Sequence, residues 1–241
     1  MIGHVITKEK FITNLRKQEI EIFEKADGII CPSYHSLESY FSDDFECRQK
    51  FEKLNFIEVI SGVNDILDYK IEENNANYIL YLGRYHESKG FDLYLEASRY
   101  SKFDIEWFCA GSGQLEERIQ SYDKIINKGW VSDIKNMMKN AALIVVPNRS
   151  TFFDLVILEA LSLGKPILTT KTGGNKALIS TKDIYMCDPN AENIGSYIDS
   201  ILNENSTGFS IENRKVFDDF YSIGKLVERY NKLSIILKDC N

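Results

Sequence analysis

The stretch TFFDLVILEALSLGKPILTT, residues 151–170, sets one carboxylate, Glu159, inside an apolar run. An ionised carboxylate among apolar neighbours is costly unless something pairs with it. Two arrangements would satisfy it. One is a salt bridge to a buried Arg or Lys, or solvent at a helix edge. The other is a ribose: a carboxylate only accepts hydrogen bonds, and a cis-diol offers two donors. Each such charge-assisted bond contributes about 1.5–3 kcal/mol.

Other loops hold residues of complementary chemistry. GRYHESKG (83–90) puts Gly83 and Arg84 at one end and Lys89 beside Gly90 at the other. Two cations next to a helix start suit a diphosphate, although the GxxxxGK[ST] spacing is absent; a solvated loop with two surface cations is the plain alternative. GSGQLEE (111–117) opens like GxGxxG with Gly111 and Gly113, but Glu116 stands where the third glycine belongs. It reads as a tight strand-to-helix turn, or as a place where a ligand nears the backbone. KTGGNK (171–176) carries Gly173, Gly174 and Asn175, either as a simple turn or as amides open to an anion. The three histidines, His4, His35 and His86, have no metal-ligand spacing, and neither DxD nor GxSxG occurs. No metal and no cofactor are expected.

These loops need a frame. Short apolar runs at 78–83, 105–111, 142–148, 165–170 and 183–187, with a weaker one at 124–130, read as strands. Helical patterns fall between them at 90–100, 113–121, 132–140, 152–163 and 191–203. Apolar strands alternating with helices predict an α/β fold with a doubly wound parallel sheet, Rossmann-like, covered by helices on both faces. In such sheets ligands bind where the strands end, and every loop above follows a strand. Thr151 to Asp154 scan as a capping box, with Thr151 as the helix N-cap and Asp154 its third residue. Gly164 and Pro166 end that helix.

The ends of the chain read differently. A charged helix over 8–25 leads into DGIICPS (27–33), a further helix over 37–54 and FIEVISGVN (56–64). Residues 64–77 are polar and linker-like. A long amphipathic helix over 211–238 carries Val216, Phe220, Ile223, Leu226, Val227, Tyr230 and Leu233 at helical spacing. It needs a surface to pack on.

Composition narrows the function class. The chain has 241 residues, 44% hydrophobic and 27% charged, and a net charge of −7. That excludes the basic footprint of a nucleic-acid binder. No apolar run reaches the 18 or so residues of a membrane span, and the start lacks a signal-peptide core. Five scattered cysteines without CxxC fit reduced thiols. The expected location is the cytoplasm, with at most peripheral membrane contact.

Taken together, GRYHESKG, AGSGQLEERI, KGWVSDIKNMMKNAALIVVPNRS and LVILEALSLGKPILTTKTGGN closely resemble the C-terminal, nucleotide-sugar-binding domain of family 4 glycosyltransferases of GT-B fold. The likeness runs from about residue 57 to 180. FEKADGIICPSYHS resembles the end of the family's N-terminal domain and ISGVND its interdomain hinge. The resemblance implies three parts: 1–64, a remnant of the N-terminal acceptor domain with the hinge; 65–210, the donor-binding domain; and 211–241, a helix crossing back.

It also implies roles. Arg84 and Lys89 would bind the donor diphosphate and act as the catalytic cations, and Glu159 would hold the ribose. Gly129 and Val131 would line the base site, and Gly173, Gly174 and Asn175 would border the diphosphate and the cleft. Gly83, Gly111, Gly113, Asn148, Thr151, Asp154 and Leu155 would complete the donor site. The implied reaction moves a hexose-type sugar from a nucleotide diphosphate, foremost a UDP-sugar, to a glycan, lipid-linked or protein acceptor, with retained configuration and no essential metal.

Two departures stand out. The family has a second glutamate eight positions before Glu159, where this chain has Thr151; Asp154 is the candidate substitute. Most of the acceptor domain is missing, and His4 is a one-residue match to a histidine of that domain. The chain is therefore read as a transferase or its donor-binding half, completed by a dimer mate or partner subunit; the alternative is a non-catalytic nucleotide-sugar-binding or partner-binding module. A dinucleotide oxidoreductase is disfavoured by Glu116. The half-enzyme reading predicts exposed apolar faces on residues 1–60 and on the last helix.

Overall fold

The run Tyr78–Leu82 turns Ile79 and Tyr81 to one side and Leu80 to the other, and all three are buried. A strand buried on both faces belongs inside a parallel sheet sandwiched by helices. The computed structural model describes residues 17–19, 21–38, 55–67, 78–204 and 207–239. Nearly all of the helix expected over 37–54, most of the 64–77 stretch, His4, Cys47 and Cys240 lie outside the described residues.

Two short strands, β1 (Ile29–Cys31) and β2 (Phe56–Glu58), pair in parallel. The main sheet contains β3 (Tyr78–Leu82), β4 (Glu106–Ala110), β5 (Ile125–Gly129), β6 (Leu143–Val146), β7 (Ile167–Thr170) and β8 (Ile184–Cys187). All are parallel, in the order β5-β4-β3-β6-β7-β8. The helices are α1 (Phe91–Tyr100), α2 (Ile134–Lys139), α3 (Leu155–Ser162), α4 (Ala191–Asn203), α5 (Ile211–Val216) and α6 (Ile223–Asp239).

Side-chain alternation along the strands divides the core in two. Ile79, Tyr81, Trp107, Cys109, Leu143, Val145 and Leu168 meet α1 and α4 on one face. Leu80, Phe108, Ile144, Val146 and Ile167 meet Met138 of α2, the α3 side chains, Phe217 and Tyr221 on the other. The doubly wound sheet read from the sequence is thus the observed one.

Three local expectations are corrected. The segment 113–121 forms no α-helix; Glu116–Ser121 makes a 3-10 turn. Helix α3 starts at Leu155, so Thr151 is not its cap. Asp154 takes the N-cap position, yet its side chain makes no capping bond; its Oδ1 accepts from Lys89.

The third correction is the last helix, which is two. A π-turn over Phe217–Tyr221 adds a residue to the register, and Ser222 is extended. The break buries Phe217 and Tyr221 completely. Each burial contributes about 1.5–3 kcal/mol. Val63 satisfies the freed backbone: its N–H donates to Tyr221 O (3.0 Å) and its carbonyl accepts from Ile223 N (2.8 Å). The shifted register leaves Phe220, Ile223, Val227 and Tyr230 exposed. Near the start, residues 17–19 and 21–23 are helical, and Ile22, Ile30 and Tyr34 are exposed. Among the described residues no helix is long and apolar enough to cross a membrane.

Candidate functional site

The strand order reverses between β3 and β6: from β3 the chain builds outward through β4 and β5, and from β6 through β7 and β8. Crossovers leaving in opposite directions open a crevice at the carboxyl ends of those two strands. The loops after β3 (83–90) and β6 (147–154) flank it, and the loop after β7 (171–175) lies alongside. Arg84, Lys89, Asn148, Thr151, Asp154, Gly173 and Gly174 are therefore gathered at one end of the sheet.

Tyr85 anchors the first loop. Its ring is buried and stacks on Phe91 at 4.0 Å between centroids, and its hydroxyl donates to Asn127 Oδ1 (2.8 Å). Gly111 and Gly113 pass so close to Gly83 and Tyr85 that side chains there would strike their backbones. Those two glycines join the loop after β3 to the loop after β4. Arg84 is exposed, and its carbonyl accepts from the Tyr81 hydroxyl at 2.7 Å. Burial, reinforced by the charge of Asp154, holds the Tyr81 phenol well above its ordinary pKa, so it stays a donor.

Lys89 ends a 3-10 turn, Glu87–Lys89, whose N-cap His86 accepts from Ser88 N. Its Nζ donates to Asp154 Oδ1 at 2.8 Å. The N–H groups of Arg149 and Ser150 reach back to Ser88 O, so backbone and ion pair both tie the two flanking loops together. Asp154 is buried, its Oδ2 lacks a hydrogen-bond partner among the described residues, and its backbone N–H meets Asn175 Oδ1 (3.4 Å). Asn175 is fully buried and its Nδ2 donates to Thr169 Oγ1 (3.0 Å). It braces the start of α3 against β7.

Gly173 has φ 46, and a Cβ there would lie 1.9 Å from Thr151 O. Only glycine allows the third loop to approach the second this closely. Gly174 donates its N–H to the same carbonyl. Asn148 is buried; its carbonyl accepts from Thr170 and Thr172, while its Nδ2 is left without a partner among the described residues.

Glu159 lies one turn beyond Leu155, on the side of α3 where Leu155 is 49% exposed. At a rise of about 1.5 Å per residue it sits about 7.5 Å along the helix from Asp154. Burial raises its carboxyl pKa, and no hydrogen-bond or ion-pair partner falls to it among the described residues. The salt bridge that one sequence reading allowed is thus not found there. Gly129 ends β5 at φ 59 with open space on its Cβ side, and Val131 is half-buried. Between them Trp130 is 88% exposed, a residue the motif search passed over. An aromatic flanked by two candidate site residues is the signal that could have found it. No cluster of three or more potential metal ligands occurs among the described residues.

Residues 76–204, more than half of the chain, match the model of the family described as glycosyl transferases group 1. An uncharacterized glycosyltransferase of Methanocaldococcus jannaschii is 24% identical over 225 residues, covering 89% of this chain and 61% of that protein. Sucrose-phosphate synthase from Thermosynechococcus elongatus superposes with a TM-score of 0.79 at 19% identity, over 98% of this chain and 65% of its own. Anabaena HepE, solved in complex with UDP, gives 0.75 at 16% identity, over 98% and 71%. The chain spans less than two thirds of the length of the M. jannaschii relative.

Proposed function

The chain belongs to the glycosyl transferases group 1 family, and we propose on that premise that it binds a nucleotide sugar in the crevice and delivers the sugar to an acceptor. The finer assignment is to family 4, the chain forming the donor-binding part of a GT-B enzyme. The observation that carries the reading is Glu159: a half-buried carboxylate with no protein partner among the described residues, on the helix that starts beside Lys89. Two ribose hydroxyls would supply the missing donors.

In this reading Arg84 and Lys89 grip the diphosphate, aided by first-turn N–H groups of α3, which lack intrahelical acceptors. The two cations stabilise the charge that grows on the leaving diphosphate as the sugar departs with retained configuration. Gly129, Val131 and Trp130 face the base, taken here as uracil. Asn148, Thr151 and Leu155 line the crevice toward the sugar, with Gly173 and Gly174 along its edge. Asn175 and Asp154 act from beneath, through the start of α3 and through Lys89. HepE, whose fold this chain shares, was solved with UDP, which supports UDP as the first nucleotide to test.

Acceptor recognition, of a glycan, a lipid-linked sugar or a protein, falls to surfaces beyond the crevice, in a dimer mate or a partner subunit, with the chain cytoplasmic or peripheral to a membrane. The alternative reading is a donor-binding module that transfers nothing alone. Titration with UDP, GDP and NAD tests the pocket, and donor turnover with Glu159→Ala and Arg84→Ala tests the roles. Preference for NAD, or binding untouched by both substitutions, overturns the assignment.

A further inference from the structure

The crevice holds a charge that a diphosphate site does not call for. Asp154 is 7% exposed, and its Oδ1 accepts from Lys89 Nζ at 2.8 Å. A carboxylate at a helix N-cap ordinarily accepts from first-turn N–H groups, but this one makes no such bond. Its Oδ2 is sealed from solvent and unpartnered among the described residues, so it presents no surface to a sugar hydroxyl. What Asp154 does reach is Lys89, whose side chain stays 28% exposed.

From this geometry we propose that Asp154 is a positioning residue and a charge brake, fixing the Lys89 ammonium at the crevice while limiting the affinity for nucleoside diphosphate. The inference rests on the reading of Lys89 as a diphosphate ligand. An ammonium has three donors; one is committed to Asp154 and two remain for phosphate oxygens. A diphosphate arriving there meets a neutral pair instead of a free cation, and a buried charge is little screened by salt. The brake also discriminates. Sugar transfer breaks the bond from the anomeric carbon to the β-phosphate oxygen and forms one to an acceptor oxygen, so the product ends in a free terminal phosphate. Such a group carries about one more negative charge near neutral pH than the sugar-esterified β-phosphate of the donor. The carboxylate therefore repels product more than donor, which favours release after each transfer.

The test is calorimetric titration of the full chain with UDP, UDP-glucose, GDP and GDP-glucose, for wild type, Asp154→Asn, Lys89→Met and the double variant. Asparagine keeps an acceptor for Lys89 but removes the charge. Asp154→Asn is expected to bind the diphosphate about ten-fold tighter, with a steeper dependence on ionic strength. The gain should be smaller for the glucose esters and should vanish in the Lys89→Met background. A merely structural Asp154 would leave affinity unchanged or lower it, and that result overturns the inference alone. So does a gain that persists without Lys89. Failure of every protein to bind any of the four nucleotides overturns the donor-site reading and this inference with it. If Asp154→Asn does not fold, Asp154→Ser enters the same comparison.

Discussion

Gly90 faces the carbonyl of Pro147 so closely that a Cβ on it would lie 1.8 Å from the oxygen. Its φ of 63 already belongs to the left-handed region. This contact closes the loop after β3 onto the loop after β6, where the strand order reverses. Gly90→Ala should lower stability by about 2–4 kcal/mol through the clash and the backbone strain. It should also draw Lys89 away from the crevice and so weaken nucleoside-diphosphate binding in a variant that is still folded. Urea denaturation reads the first effect and titration with UDP the second. Wild-type stability would mean that Pro147 yields without strain.

Glu159 predicts a conflict between stability and binding. Burial raises its pKa, so the folded state favours the protonated form. A carboxyl whose folded pKa exceeds its unfolded value adds stability only at low pH, and that contribution is lost as pH rises through the folded pKa. At pH 7 the ionised group thus weighs against folding. Glu159→Gln should stabilise the ligand-free protein at pH 7 and raise its Tm. The same change should weaken nucleotide binding by about 10- to 100-fold, since one hydroxyl loses a charged acceptor. Wild-type binding should itself fade on acidification at a pH above the ordinary glutamate value. A variant that loses stability while keeping its affinity would return Glu159 to a structural role.

The strands were legible because their residues are apolar on both sides of the chain, a pattern that needs no knowledge of distant partners. Even the weak run at 124–130 forms an edge strand with Ile125 turned inward. The misses have non-local causes. The TFFD pattern points to Thr151 as a cap, but Lys89, far back in sequence, draws Asp154 to itself and starts the helix at Leu155. Nothing in DDFYSIGK announces a helix break, since the break depends on Val63 being in place to bond Tyr221 and Ile223. Of the candidate site, glycines and cations in loops pointed to Arg84, Lys89 and Gly173, which the fold gathers at one end of the sheet, whereas the pairing of Lys89 with Asp154 and the exposure of Trp130 depend on how those loops meet.

Trp130 gives the proposed base site an optical test. The chain has two tryptophans; Trp107 is fully buried, while Trp130 stands 88% exposed beside Gly129. A base that stacks on an exposed indole contributes about 1–3 kcal/mol. UDP should therefore quench the solvent-exposed part of the emission, and Trp130→Ala should bind UDP about ten-fold more weakly. In Trp130→Phe the quenching should vanish while most of the affinity remains. Quenching that survives in the phenylalanine variant would place the base elsewhere.

Lys165 yields the clearest pH dependence. It is 6% exposed between Gly164 and β7, and the ring of Phe209 and a backbone bond from Ser210 N cover the neighbouring Gly164. Its ammonium has no ion-pair or hydrogen-bond partner among the described residues, and burial pushes its pKa down to about 8. A lysine with a depressed folded pKa adds stability only where it is neutral. That contribution is present above the unfolded value of 10.5 and lost as pH falls through about 8. Below pH 8 the charged amine opposes folding. Lys165→Met should then raise stability at pH 7 by on the order of 2 kcal/mol, because it fills the same space without the charge. The advantage should shrink steadily between pH 8 and 10.5, the window set by the two pKa values. Parallel urea denaturations of both proteins across that range measure it, and a constant difference would mean that Lys165 finds a counter-charge in solution.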